Sequence, residues 1–142
     1  MQVQDVMSRD PICCERDSYI ADIARLMAQY DCGEIPVCDE RGRPVGVVTD
    51  RDIVCRIIAR EEDPLQRRAA ECMSEPVVTA TPEMSIADCA HLMETHQVRR
   101  LPVVDERGVC CGIIAQADLA TKGCRQETAD VVERVSVPRA ES

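Results

Sequence analysis

Aromatic side chains are nearly missing from this sequence. Its 142 residues include no Trp, no Phe and only two Tyr, Tyr19 and Tyr30. The hydrophobic fraction of 45% is nonetheless ordinary for a globular protein, so the core must be aliphatic. A flat ligand would therefore have to be held by aliphatic side chains and backbone groups, because aromatic stacking partners are lacking.

The sequence is also short of positive charge and of long apolar runs. A formal net charge of −9 argues against general nucleic-acid binding, which needs a basic face, whereas a small phosphate ligand needs only a few local basic groups. No apolar run reaches the roughly 18–20 residues of a membrane span, and no basic, apolar leader stands at Met1–Asp10. We therefore expect a cytoplasmic protein without a membrane or nucleic-acid partner.

Ten cysteines are present, but their spacing is not that of a metal or redox site. The sequence has no C-x-x-C pair, and the two histidines, His91 and His96, have no such pair to accompany them. Cys38 and Cys89 occupy positions that are apolar in the other repeat described below, which is typical of thiols used as small core hydrophobes. A disulfide framework is not expected in a cytoplasmic protein. We predict no metal site.

What the sequence does contain is an internal repeat at an interval of 66 residues. The segment Ile35–Gly42, which reads IPVCDERG, returns as Leu101–Gly108, which reads LPVVDERG. The segments before and after it recur at the same interval. A duplication this regular indicates two copies of one structural unit.

Each copy shows the same order of periodicities. A short apolar strand precedes a segment with helical spacing, two strands joined by a glycine turn follow, and a helix closes the unit. Gly42 and Gly108 are expected to adopt a positive φ in these turns. One β-α-β-β-α unit is too short to bury much surface alone. The pattern therefore predicts an α/β (α+β) fold in which two pseudo-symmetric units pack sheet to sheet. The predicted strands cover 12–14, 35–39, 44–49, 77–79, 101–105 and 109–115, and the predicted helices begin at Ile20 and Ile86 and cover 50–59 and 116–121.

Changes in composition set the predicted boundaries. The first unit covers residues 1–59, a polar linker covers 60–68, and the second unit covers 69–123. Residues 124–142 are expected to form a C-terminal helix and tail.

This organisation resembles a tandem pair of CBS domains, the Bateman module, and especially the small stand-alone CBS-pair proteins of bacteria. The Pro-Val strand with its glycine turn and the sequence GVVTDRD at Gly46–Asp52 carry the resemblance, which covers roughly Val3 to Leu119. It implies a regulatory module, not an enzyme, that binds an adenosine-containing ligand such as AMP, ADP, ATP, NAD or S-adenosylmethionine in the cleft between the repeats. It also implies a homodimer that transmits a conformational change to a protein partner.

The resemblance assigns ligand contacts to individual residues. A carboxylate accepts hydrogen bonds from both hydroxyls of a ribose, and an arginine presents a planar fork of donors to a phosphate. The implied contacts are Thr49 and Asp52 for the ribose, Asp10, Pro11, Ile12 and Cys13 for the adenine, and His96, Arg99 and Arg100 for phosphates.

The two repeats differ at the positions that would contact a ligand. The exchanges between the first and second repeat are Thr49/Ala115, Gly33/Arg99 and Glu34/Arg100. The Ala115 side chain has no hydrogen-bonding group and the Glu34 carboxylate would repel a phosphate, although Asp118 is retained. We therefore predict one good site, which combines Thr49 and Asp52 with the two arginines, and a weaker second cleft at Ala115 and Asp118.

Two other interpretations need no adenosine ligand. The sequence Thr49-x-x-Asp52 is also a capping box, which a helix start uses regardless of function, and Arg99 with Arg100 can form a solvated surface pair. A ligand-free structural or oligomerisation module is therefore the alternative function. A cysteine-based redox switch is the least favoured of the three.

Overall fold

The mixed α+β architecture agrees with the sequence-based prediction. The structure, a computed structural model, describes residues 1–75 and 77–122, of which 121 and 122 are described by their backbone alone. The helix predicted for 124–142 lies outside the described residues. The strands are β1 (Cys14–Glu15), β2 (Glu34–Cys38), β3 (Pro44–Thr49), β4 (Arg100–Val104) and β5 (Cys110–Ala115), and the helices are α1 (Ile20–Tyr30), α2 (Asp50–Ile53), α3 (Ile86–His96) and α4 (Gln116–Lys122).

The chain divides into two compact units. One is Ile12–Val77, and the other combines Met1–Pro11 with the described residues from Val78 on. In the unit Ile12–Val77, β2 pairs parallel with β1 and antiparallel with β3. Its aliphatic core joins the apolar face of α1 to the sheet and consists of Cys14, Ile20, Ile23, Met27, Ile35, Val37, Val48, Ile53, Ile57, Ala69 and Cys72.

The other unit repeats this arrangement around the antiparallel hairpin of β4 and β5. A single parallel bridge between Ala80 and Val103 stands where β1 pairs with β2 in the first repeat. Its core consists of Val3, Val6, Met7, Ala80, Ile86, Cys89, Ala90, Met93, Leu101, Val103, Ile114 and Leu119. Cys89 is fully buried there, which agrees with the prediction of a thiol acting as a core hydrophobe.

Each unit contains one repeat completed by the segment that precedes the other repeat. Ser74, which follows a short 3-10 turn at Ala69–Glu71, exchanges two backbone hydrogen bonds of 3.1 and 2.8 Å with Val47 of β3. The equivalent residue Ser8 exchanges bonds of 2.9 and 3.0 Å with Ile113 of β5. We call this arrangement the segment exchange. The compact units therefore do not follow the boundaries of the sequence repeats, because Met1–Pro11 belongs with the second repeat.

Glycines explain two local features of each repeat. Gly42 and Gly108 have φ values of 80° and 79°, which confirms the prediction for the hairpin turns. Gly46 and Gly112 serve another purpose, since the exchanged segments approach them closely. A Cβ atom built on Gly46 would lie 3.0 Å from the Ser74 carbonyl oxygen, and one on Gly112 would lie 2.7 Å from that of Ser8.

The helix predicted for residues 50–59 is regular only in its first turn. After α2 the chain continues as a π-helical turn over Val54–Ile58, in which the Ala59 N–H donates to the Val54 carbonyl at 2.8 Å. Ile53 and Ile57 are both buried. Their spacing of four residues is the same as that of apolar residues on one face of an α-helix, although this turn has i→i+5 bonding. Periodicity alone therefore did not reveal the change.

Candidate functional site

Thr49 and Asp52 form the start of α2. The Asp52 N–H donates to Thr49 Oγ1 at 3.0 Å, and the Thr49 N–H donates to Asp52 Oδ2 at 3.0 Å. Both bonds of a capping box are therefore made, as the alternative interpretation of this motif predicted. The motif has a structural role whether or not a ligand binds, and a ligand must use the acceptor capacity that remains.

That capacity is substantial on Asp52. Its side chain is 12% exposed and lies 3.9 Å from Arg56 Nε through Oδ1. The Ser74 hydroxyl lies 3.3 Å from Oδ1 and 3.4 Å from Oδ2. Because an ionised carboxylate has about four lone-pair positions, one backbone N–H and one hydroxyl leave room for further donors. Asp52 can thus accept a ligand hydroxyl without giving up the helix cap.

Arg56 is held against the exchanged segment. Its Nη1 donates to the carbonyl oxygens of Cys72 at 3.1 Å and Met73 at 3.2 Å. The side chain remains 43% exposed. The guanidinium is therefore fixed at one end and accessible to solvent.

A cavity of about 450 Å³ opens beside these residues, inside the unit Ile12–Val77. Two of its lining residues, Arg56 and Ser74, contact the Asp52 carboxylate. The described residues that line it are Arg56, Ala70, Met73, Ser74 and Glu75. A guanidinium and a hydroxyl thus line this cavity, and both contact the Asp52 carboxylate beside it.

The second repeat contains a reduced version of the carboxylate site. The Ala115 N–H donates to Asp118 Oδ2 at 2.8 Å, which reproduces one bond of the capping box. A hydroxyl acceptor equivalent to Thr49 Oγ1 is absent at position 115, because the Ala115 side chain is a methyl group. The exchange of Thr49 for Ala115, read from the sequence, therefore removes one side-chain bond of the capping box in the second repeat.

The predicted phosphate residues lie in the unit that contains this reduced site. Arg100 is opposite Ala115 in the β4–β5 register, and the Arg99 carbonyl accepts from the Gln116 N–H at 2.8 Å. His96 is the exposed last residue of α3. Their predicted combination with Thr49 and Asp52 joins residues of two units and stays a prediction.

Around Thr49, the equivalent positions carry no positive charge. Glu34 is opposite Thr49 in the β2–β3 register, and the Gly33 carbonyl accepts from the Asp50 N–H at 2.9 Å. The first repeat therefore surrounds its complete capping box with acidic residues on this side.

The predicted adenine residues lie on both sides of the chain boundary between Pro11 and Ile12, where the sequence passes from one compact unit to the other. Asp10 and Pro11 end one unit, and Ile12 and Cys13 begin the other. Ile12 packs against the core that includes Cys14. The proposed role of these residues stays a prediction.

Two residues of the site were missed by sequence reasoning. Arg56 lies four positions after Asp52, a spacing that favours an ion pair on a helix and was the available signal. Ser74 recurs as Ser8 in the 66-residue repeat, but its distance from Asp52 along the chain left no local pattern to detect. Ser74 therefore becomes recognisable only when the segment exchange is known.

The buried thiols have no activated character. Burial is the main cause that raises the pKa of Cys14 to about 12, that of Cys72 to about 11 and that of Cys89 to about 12. For Cys72, the negative charge of Asp52 adds to this effect. Metal binding and nucleophilic attack both require the thiolate. Within residues 1–75 and 77–122, no three His, Cys, Asp or Glu side chains are grouped in a way that could hold a metal ion.

None of the helices in residues 1–75 and 77–122 is both long and apolar enough to cross a membrane.

Comparison with known proteins gives a consistent family assignment. The CBS domain model matches residues 3–59 and 69–123. The CBS domain-containing protein YhcV of Bacillus subtilis is 39% identical over 127 residues, which cover 89% of each chain. Hypoxic response protein 1 of Mycobacterium tuberculosis is 31% identical over 137 residues, which cover 96% of this chain and 95% of that one.

Two solved structures are similar to this fold. Hypoxic Response Protein I, solved with two coordinated zinc ions, superposes with a TM-score of 0.79 at 32% identity over 86% of this chain and 98% of that one. The CBS domain pair of protein MJ0100, solved in complex with 5′-methylthioadenosine and S-adenosyl-L-methionine, gives a TM-score of 0.75 at 26% identity over 84% and 93% of the two chains. Since the family model covers most of the sequence in two successive matches, the chain belongs to the CBS domain family and contains a tandem pair of CBS domains.

Proposed function

We propose that this protein is a regulatory sensor that binds an adenosine-containing ligand, with the ligand's ribose at Thr49 and Asp52. The observation that carries the proposal is the Asp52 carboxylate, which is ordered by Thr49 and Ser74 and lies next to a cavity of about 450 Å³. A carboxylate fixed in this way accepts two adjacent hydroxyls without first having to be ordered. Charge-assisted bonds of this kind are stronger than neutral ones.

The chemical class of the ligand is supported by the relatives. Protein MJ0100, which shares the fold, was solved with two adenosyl compounds. For this chain we propose that Asp10, Pro11, Ile12 and Cys13 contact the adenine, and that His96, Arg99 and Arg100 contact phosphates where the ligand has them. Asp118 and Ala115 would form the weaker second cleft.

The proposed output is regulatory, without catalysis. A ligand changes a conformational equilibrium only through a difference in affinity between two states. We propose that occupancy at Asp52 favours one arrangement of a homodimer, which a protein partner then recognises. A cytoplasmic location is part of this proposal.

Equilibrium titration tests the proposal directly. Calorimetry with AMP, ADP, ATP, NAD and S-adenosylmethionine should give saturable binding by at least one of them. Absorbance near 260 nm in the freshly purified protein should reveal co-purified nucleotide, because two Tyr and no Trp contribute little at that wavelength. If none of the five binds and no nucleotide is released on denaturation, the adenosine proposal is wrong.

One observation favours the ligand-free alternative. The capping box accounts for Thr49 and Asp52 without any ligand. In that case the module would act only through association with itself or with a partner, and the same titrations would all be negative. A redox function is less favoured, because the pKa values of Cys14, Cys72 and Cys89 are raised.

A further inference from the structure

We propose that Arg56 forms an anion subsite, with Ser74 beside it, that receives a phosphate of the ligand within the same unit as Asp52. The inference rests on the proposed function and specifies the charge of the ligand. The subsite is distinct from Arg99 and Arg100, which lie in the other unit. It would make the first repeat selective for a phosphorylated adenosine compound.

The hydrogen bonds of Arg56 leave the useful side of its guanidinium available. An arginine has five N–H donors. Nη1 is engaged by the carbonyl oxygens of Cys72 and Met73. Nε forms an ion pair with Asp52 Oδ1 at 3.9 Å, which is too long for a hydrogen bond, and within residues 1–75 and 77–122 no hydrogen bond is found from Nε or Nη2. Nε and Nη2 form the fork that matches two oxygens of a phosphate.

The two carbonyl bonds also fix the guanidinium in place. An exposed arginine loses much rotamer freedom when it binds an anion, and this loss weakens many surface ion pairs. Here part of that freedom is already lost, because Nη1 is bound to two carbonyls of one main-chain segment. With 43% of its side chain exposed, Arg56 still meets solvent. It is therefore both ordered and accessible, as a ligand-binding arginine should be.

The position next to Asp52 suits a nucleotide. Asp52 Oδ1 and Arg56 Nε are 3.9 Å apart, so the guanidinium lies within the length of one nucleotide from a ribose whose hydroxyls bind the carboxylate. The adjoining cavity of about 450 Å³ is within the roughly 300–1,000 Å³ typical of small-molecule sites. The Ser74 hydroxyl lines the same cavity and can donate to a phosphate oxygen.

Glu75 gives the subsite an opposing charge. It lines the cavity together with Arg56, and its carboxylate repels an anion placed there. Replacing Glu75 by glutamine should consequently strengthen phosphate binding, whereas replacing Arg56 should weaken it. The two variants predict changes of opposite sign in one measurement.

Comparison of AMP with adenosine in the full-length protein tests the subsite, because the two ligands differ only in the phosphate. Loss of a charge-assisted bidentate contact costs about tenfold or more in affinity. We therefore expect Arg56→Gln to weaken AMP binding about tenfold while adenosine binding changes less than about twofold. Arg56→Lys keeps the charge but not the planar fork, so its affinity for AMP should lie between those of the wild-type protein and Arg56→Gln. Arg60→Gln, at an exposed position of the same unit, is the matched control for net charge and should change neither affinity.

The outcomes separate this inference from the proposed function. If the wild-type protein binds neither AMP nor adenosine, the phosphate subsite is overturned, and the proposed function fails as well if ADP, ATP, NAD and S-adenosylmethionine also do not bind. If it binds both with equal affinity, or if Arg56→Gln weakens both by the same factor, the adenosine site stands and the phosphate subsite is overturned. Glu75→Gln is a second test that does not depend on the folding of the arginine variants, and weaker AMP binding in it would also overturn the subsite.

Discussion

The Ser74 hydroxyl lies within hydrogen-bond distance of both carboxylate oxygens of Asp52, at 3.3 and 3.4 Å, although the two residues are 22 positions apart. Asp52 is at the start of a helix that follows the last strand of the first repeat, whereas Ser74 belongs to the segment that leads into the second repeat. A ligand that binds this carboxylate would therefore lie next to the segment that contains Ser74.

Removing this hydroxyl should weaken ligand binding without abolishing it. The distances indicate a long hydrogen bond, so we expect Ser74→Ala to reduce the affinity for the adenosine ligand about two- to fivefold. Ser74→Thr should restore most of the loss, since it returns the hydroxyl. Calorimetric titration measures both.

Ser8→Ala is the matched control for Ser74→Ala. Ser8 is the counterpart in the other unit, where its hydroxyl makes no hydrogen bond in the part of the chain that the structure describes. Equal effects of the two alanine variants would mean that Ser74 has no special relation to the ligand site.

Exchanging threonine and alanine at the two equivalent helix caps should change the free energy of unfolding in opposite directions. Thr49→Ala removes one bond of the capping box and should lower the free energy of unfolding by about 1 kcal/mol. Ala115→Thr supplies the missing acceptor in the second repeat and should raise it by up to about 1 kcal/mol. Urea unfolding with linear extrapolation gives both values. A destabilising effect of Ala115→Thr would show that the cap geometry of the two repeats is not equivalent.

The two carboxylates should differ in their importance for binding. Asp52→Ala should abolish binding of the adenosine ligand because it removes the ordered ribose acceptor, whereas Asp118→Ala should leave the stronger site intact. Both variants lose a hydrogen bond that the carboxylate accepts at its helix start. Their unfolding curves therefore show how much each is destabilised, and a loss of affinity beyond that can be assigned to binding. Equal loss of affinity in the two variants would contradict the prediction of one good site.

Gly46 and Gly112 are closely approached by the segments that contain Ser74 and Ser8, so neither glycine should tolerate a side chain. Gly46→Ala brings a methyl group to 3.0 Å from the Ser74 carbonyl oxygen, and such overpacking costs about 1–3 kcal/mol. Gly112→Ala should cost more, since its Cβ would lie 2.7 Å from the Ser8 carbonyl oxygen. Thermal and urea unfolding measure the cost.

Gly33→Ala is the corresponding control for overpacking. Its Cβ would meet the carboxylate of Asp50 at 3.0 Å. That side chain is exposed and is held by one hydrogen bond, from the Arg51 N–H at 2.8 Å, so it can move aside at small cost. We expect a change within about 0.5 kcal/mol. A cost as large as that of Gly46→Ala would mean that this position is more tightly packed than its surroundings suggest.

Stability should fall at alkaline pH partly because of Cys89. Burial raises its pKa in the folded protein from 9.0 to about 12. Between these values the unfolded chain releases the thiol proton and the folded chain retains it, so rising pH favours unfolding. The stability gained from the raised pKa of Cys89 is fully present below pH 9 and is lost as the pH rises towards 12. Cys89→Ala should therefore show a smaller decrease in unfolding free energy between pH 8 and 10.5 than the wild-type protein, whereas parallel curves would contradict the assignment.

Much of the fold was predictable because its determinants are local. The apolar spacing that begins at Ile20 and Ile86 predicted α1 and α3, and the glycines at 42 and 108 marked the hairpin turns. The segment exchange was not predictable from the repeat. An interval of 66 residues is the same whether Met1–Pro11 packs with its own copy or with the other one. Contacts in the folded chain distinguish the two cases, such as the bonds of Ser8 with Ile113 and of Val3 with Met84.

The site was predictable to the extent that it is a sequence motif. Thr49 and Asp52 are three positions apart, so their capping box at the start of α2 could be predicted from the sequence, whereas their role in ligand binding stays a prediction. Ser74 reaches them only through the fold, and Arg56 depends on a π-helical turn that apolar periodicity does not distinguish from an α-helix. Contacts made across the chain thus carry the part of the site that sequence reasoning did not find.

The segment exchange has a consequence for how such a protein can arise. A single ancestral copy, with its own leading segment, would have had no partner to complete its last strand and would have depended on a second molecule. Fusing two copies into one gene turns this encounter into an event within one molecule, independent of protein concentration. The duplication visible in the sequence can then be understood as a former dimer made permanent, whose two halves became free to diverge, as the exchange of Thr49 for Ala115 illustrates.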